Sequence, residues 1–147
     1  MYINLHSIAR FICFSESCGF INIDNYDIMI EGEYENYQEY LKYQEYKENG
    51  IFNDPSFLAL PYIEDSVYRE LRNEFLEKYY PRKGWYFRKL NDRDFEQYFH
   101  ITVEESTLSD DWYEYEDEFR IKLLQEWCEN NNIRYTLKNE SEDDDTD

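Results

Sequence analysis

Cys13 and Cys18, with four residues between them and His6 upstream, are the first residues whose types and spacing could do chemistry. A structural zinc ion needs about four nitrogen or sulfur ligands, usually offered as Cys pairs two to four residues apart. One loose pair with Cys128 far downstream does not supply that set, so all three read as buried, inert thiols. His6 and His100 have no recognisable Ser, Cys or metal partner in the sequence. The glycines Gly19, Gly32, Gly50 and Gly84 are too scattered for a phosphate cradle, and no P-loop, nucleophile elbow or His-Glu-x-x-His motif occurs. EF-hand spacing is absent, although Asp143, Asp144 and Asp145 could gather divalent cations loosely. Carboxylate pairs are so abundant that none singles itself out for acid–base work. No catalytic, cofactor-binding or metal-binding residue is expected, and the chain reads as a non-enzyme. An enzyme with an unrecognised site would instead need a cleft bringing His100 or Cys128 to carboxylates of raised pKa.

Lys78, Arg82, Lys83, Arg88, Lys89 and Arg93 form the only basic island, against the single acid Asp92. One reading is an anion or phosphate site at Gly84, Arg88 and Lys89, where a glycine lets backbone approach a ligand closely. The preferred reading is internal: these cations face the acidic helix that begins at Asp110 and relieve self-repulsion.

Two further patterns suggest recognition. Tyr34, Tyr37, Tyr40, Tyr43 and Tyr46 recur every third residue. On a helix each such step is about 300°, so the five rings drift through roughly 240° and no single flat core can cover them all. Tyrosine offers large, stiff contact area with a polar tip and is enriched at interfaces. Asp110, Glu114 and Asp117 or Glu118 lie about 5–6 Å apart along one helix face, a pitch comparable to phosphate spacing, so that face could occupy a basic groove.

The elements that must hold these residues follow from periodicity. Leu5 to Phe14 has a weak helical period. Residues 19–30 change to two short apolar runs around Asp24-Asn25, which predicts a hairpin. The tyrosine run predicts a helix-like segment over 33–48, and 49–61 reads as a connector with turn signals at Asn49-Gly50 and Asp54-Pro55. Val67, Leu71, Phe75 and Tyr79 step by four after an acidic start, predicting a helix over 64–79 that Pro81 stops. A short helix is expected over 92–100. A long one should run from Ser109 to about Asn130, with Trp112, Tyr115, Phe119, Leu123 and Trp127 on one face. Alternation over 133–137 predicts a terminal strand. The fold class expected is α+β, a mostly helical single domain over 1–139 with a small N-terminal hairpin, a long C-terminal helix and a short terminal strand, followed by a disordered acidic tail over 140–147.

The stretch from Asp110 to Tyr135 resembles the bacterial uncharacterised protein family 0158, through Asp111-Trp112-Tyr113 and then Trp127-Cys128-Glu129, Asn131, Ile133 and Tyr135. Leu60-Pro61 before a helix and the element at Gly84 and Phe87 to Asp92 are also similar, with one extra residue after Gly84 and departures at Leu90 and Asn91. The resemblance spans most of residues 3–137 and is weaker before Leu60. It implies a shared fold and brings no activity or site with it.

Charge narrows the function classes. The 147 residues carry a formal charge of −19, and six of those charges fall in Glu140–Asp147, leaving −13 on residues 1–139. Such a protein is repelled by duplex DNA, with about one negative charge per 1.7 Å, and by anionic membranes. Tyr, Phe and Trp make up 20% of the chain and supply the mass for a core. An odd cysteine count, no apparent signal peptide and no long apolar run fit a cytoplasmic protein. The function expected is that of an acidic interaction protein binding a basic protein partner. One version is a nucleic-acid mimic that blocks a nucleic-acid-handling enzyme, of anti-defence, antitoxin or immunity type. Neither direct nucleic-acid binding nor membrane binding is expected, and the sequence leaves oligomeric state open.

Overall fold

A computed structural model describes residues 1–50 and 53–137. The tail expected over 140–147 lies outside the described residues. The elements are those of a mostly helical α+β protein, and their contacts group the chain into two compact units. One comprises Met1–Ile63 and Ile121–Asp147, the other Glu64–Arg120.

The first unit holds the strands. β1 (Ile3–Asn4) pairs in parallel with β5 (Tyr135–Thr136), Ile3 opposite Tyr135. Asn4 then caps α1 (Leu5–Ile8), accepting a bond from the His6 N–H, and a 3-10 turn over Ala9–Phe11 follows. The helix expected over 5–14 is therefore shorter and ends in extended chain at Ile12. The expected hairpin is β2 (Gly19–Asn22) against β3 (Ile28–Ile30), with Phe20 opposite Met29. Its turn is made by the Asn22 side chain, which accepts from the Asp24 and Asn25 N–H groups, and by Tyr26 at φ 63°.

The connector hides another strand, β4 (Phe57–Ala59), antiparallel to the far edge of β2. Gly19 sits where the strands crowd: a Cβ there would lie 2.5 Å from the Met29 carbonyl oxygen. Only glycine fits that position without displacing backbone.

Between β3 and β4 runs α2 (Tyr37–Glu48), whose start is fixed by a reciprocal cap. The Asn36 side chain accepts from the Glu39 N–H at 3.0 Å, and the Glu39 carboxylate accepts from the Glu35 N–H at 2.7 Å.

The second unit is built on α3 (Asp65–Tyr79), α4 (Gly84–Lys89), α5 (Asp92–Phe99) and the first half of α6 (Ser109–Asn130). Its core gathers Leu71, Phe75, Leu76, Phe87, Phe95, Phe99, Val103 and Trp112. The rings meet edge to face, Phe99 on Trp112 at 4.8 Å and Phe75 on Trp112 at 5.3 Å between centroids. Val67 was expected on this face, but it is exposed and the core stripe runs through Leu71, Phe75 and Leu76.

Two arginines of α3 are built into the aromatic core. Arg72 lies under Tyr68, Phe95 and Phe99 and pairs with Glu96 at 3.1 Å. Arg69 stacks on Phe95 at 3.8 Å and donates to the carbonyls of Phe87 and Leu90. It thereby ties down the end of α4, sharing the Phe87 carbonyl with the Leu90 N–H. A π turn over His100–Glu104 continues α5.

The long helix has two buried faces rather than the single stripe the spacing predicts. Trp112 is buried within the second unit, while Leu124 and Cys128 are buried in the part belonging to the first. Leu123 and Trp127 are half-buried. Trp112, Tyr115 and Phe119 belong to the second unit and Leu123 and Trp127 to the first, so the five residues expected in one row do not share one core. The helix ends in a left-handed Asn132 at φ 57°, with the Ile133 N–H reaching the Cys128 carbonyl at 2.9 Å.

Candidate functional site

In the first unit, α2, the turn of the hairpin, β3 and the α1 region surround a groove of about 770 Å³. The volume is within the range of small-ligand and peptide-side-chain sites. Its aromatic wall includes Tyr34, Tyr43, Tyr46, Phe11 and Phe57, and its polar lining includes Asp27, Glu33, Glu35, Glu39, Arg10 and Lys42.

The tyrosine repeat divides as the drift predicts. Tyr43 is the anchor, 4% exposed, with its hydroxyl pushed up to about 12, first by burial, then by Glu31 and Tyr34. Tyr34 precedes the helix and packs on Tyr43 at 5.8 Å and Tyr40 at 5.5 Å. Tyr46 meets Phe57 at 5.8 Å. Tyr37 and Tyr40 stack on each other at 5.9 Å on the exposed side. Three of the five rings thus line the groove and two face solvent beside it.

The charges of the groove are unevenly matched. Glu39 is engaged in the cap, and nearby Glu31 pairs with Lys47 at 3.6 Å. Arg10 lies over the Phe11 ring and Lys42 over Tyr46. The side-chain carboxylates of Asp27, Glu33 and Glu35 have no hydrogen bond or ion pair among the described residues. These three were missed in the sequence. Glu33 and Glu35 flank Tyr34, which was the available signal, whereas Asp27 arrives through the hairpin turn.

Asp110, Glu114, Asp117 and Glu118 belong to the second unit. All four are exposed on α6 and none is in a salt bridge among the described residues, so the acidic helix face exists as expected. Glu116 differs: it is half-buried and bonds Arg120 at 2.7 Å.

Arg88 is already occupied. Its guanidinium grips the Glu70 carboxylate through both terminal nitrogens, at 2.7 and 2.8 Å, and donates from Nε to Glu77. These contacts push the arginine's pKa further up and hold Glu70 below the usual carboxylate range. Gly84 faces the Glu77 side chain, with a Cβ position only 2.9 Å from its Cγ, and Lys89 lies over Trp85 at 5.2 Å. The internal reading of the basic island holds for Arg88, with one correction: its acids come from α3, not from the helix beginning at Asp110.

The cysteine reading is corrected as well. Cys13 and Cys18 form a disulfide, because the chain doubles back between them through Ser15 at φ 71° and brings their Cα atoms to 6.0 Å. Cys128 is the free thiol, buried, and pushed up to about 11 by burial and by Glu129. At that value it is neutral and a poor nucleophile near neutral pH. His6 is exposed; His100 sits between Glu104 at 3.4 Å and Glu105 at 2.9 Å, which raise its pKa. No cluster of three metal-ligating side chains occurs among the described residues, and no helix there is long and apolar enough to cross a membrane.

No family model, curated protein or solved structure matches this chain. Function must therefore be argued from the groove and the charges themselves.

Proposed function

We propose that this protein is a non-enzymatic acidic interaction protein that binds a basic protein partner. The observation that carries the reading is the groove of the first unit, where the carboxylates of Asp27, Glu33 and Glu35 have no partner among the described residues and line the same groove as Tyr34 and Tyr46. Unpaired carboxylates next to ring faces offer a cationic side chain both charge and a cation–π platform. The charge of −13 on residues 1–139 steers positively charged surfaces toward the protein and keeps polyanions away. The exposed acids Asp110, Glu114, Asp117 and Glu118 extend the same chemistry to α6. A nucleic-acid mimic acting on a nucleic-acid-handling enzyme is the version their pitch favours.

The test uses short peptides at low salt. An arginine-rich peptide should bind, while a glutamate-rich peptide and duplex DNA should not. Raising the salt from about 0.05 to 0.5 M should weaken the arginine peptide by tenfold or more, because the ion pairs are surface pairs. Absence of binding, or binding indifferent to salt, overturns the proposal.

A further inference from the structure

The same groove has a feature that charge alone does not use. Among the described residues β3 is an edge strand, paired with β2 on one side only. The ladder fixes which of its backbone groups are taken. Asn22 donates to the Asp27 carbonyl and Glu31 donates to the Cys18 carbonyl, so Met29 opposite Phe20 is the hydrogen-bonded pair between them. Ile28 and Ile30, one residue to either side, aim their N–H and C=O groups away from β2. Of these outward groups, the Ile30 carbonyl accepts from the Glu33 N–H at 3.1 Å. The remaining three have no partner among the described residues, and Ile28, Met29 and Ile30 line the groove.

We infer that the partner enters as an extended basic segment that adds a strand to β3. This rests on the functional reading above and makes it specific. An extended chain pairing with Ile28 satisfies the open donor and acceptor, the mode of recognition in which main-chain bonds supply affinity and alternate side chains supply selectivity. Successive side chains of such a strand point to opposite faces. With Arg or Lys at every second position, one face of the incoming strand meets Asp27, Glu33 and Glu35 and the ring of Tyr34. A helical basic segment could satisfy the carboxylates but not the strand edge. Acids at both ends of β3 also discourage pairing with neutral or acidic strands, including a second copy of this acidic chain.

The experiment compares an alternating Arg-Val peptide with two versions carrying N-methyl groups on alternate backbone nitrogens, one in each register. N-methylation removes main-chain donors and leaves charge untouched. Affinities come from fluorescence anisotropy at low salt, with circular dichroism as the check that each protein variant is folded. At least one methylated register should bind about tenfold more weakly, a loss on the scale of one or two charge-independent hydrogen bonds. The combined variant Asp27→Asn, Glu33→Gln, Glu35→Gln should stay folded, because all three acids are exposed, and should weaken all three peptides. If the parent peptide binds and both methylated forms bind equally well, strand addition is overturned while the acidic-binder reading stands. If no arginine peptide binds at all, that reading fails and the inference fails with it.

Discussion

Arg72 shows how far a single charged side chain can be absorbed into this core. It is 8% exposed and lies within 5.5 Å of three ring centroids, with its charge answered by Glu96 at the protein surface. Arg72→Ala therefore removes packing and cation–π contact together and should cost about 2–4 kcal/mol in urea unfolding. His100 poses a question of sign. Glu104, then Glu105, raise its pKa in the folded protein, so its contribution to stability is complete below the unfolded value of about 6.5. That contribution is lost as pH rises through the folded value, and His100→Gln should flatten the melting temperature across that window. The thiols give a third residue-level prediction. Native protein should show no reactive thiol, unfolding should expose one, Cys128, and reduction should release Cys13 and Cys18 as well. Because that disulfide closes a short loop, opening it should cost about 2 kcal/mol.

At the scale of elements, the glycine and the caps are the sensitive positions. Gly19→Ala must push a Cβ into the Met29 carbonyl and the Leu60 side chain, so the sheet should lose about 2 kcal/mol or more, read by thermal unfolding. What the sequence revealed follows from element length. α3 and α6 repeat their apolar spacing over several turns, and the hairpin carries its own turn residues, so all three were legible. β1 and β4 are two and three residues long, too short to display any period, and each exists through a partner distant in sequence. α4 was hidden for another reason: its end is tied down by Arg69 of α3, which donates to the Phe87 and Leu90 carbonyls, a device with no local signature. The candidate site was half visible. Tyrosines 34, 43 and 46 could be named from their spacing, but the edge of β3 and the placement of Asp27 depend on pairing that no local pattern encodes. The disulfide has no signature in the sequence: an odd cysteine count argues against a pair, and the turn at Ser15 that brings Cys13 to Cys18 exists only in the folded chain.

Across the whole molecule, excess negative charge works against compactness. Among the described residues, ion pairs such as Arg88 with Glu70 and Glu77, Arg120 with Glu116 and Lys47 with Glu31 offset some of it. Asp27, Glu33 and Glu35 of the groove and Asp110, Glu114, Asp117 and Glu118 of α6 have no ion pair among the described residues. Screening should therefore help: adding about 0.5 M salt should raise the melting temperature while it weakens binding of a basic peptide. Opposite responses to one variable separate self-repulsion from recognition.

The cap on α2 has one more consequence. A helix screwed along its axis by three residues places Tyr46 where Tyr43 was and Tyr43 where Tyr40 was, so the repeating rings cannot distinguish neighbouring settings. Asn36 and Glu39 occur once, at the start, and only one setting lets them close on each other. The helix is thus indexed by its punctuation, and Asn36→Ala should leave it able to slip by a turn.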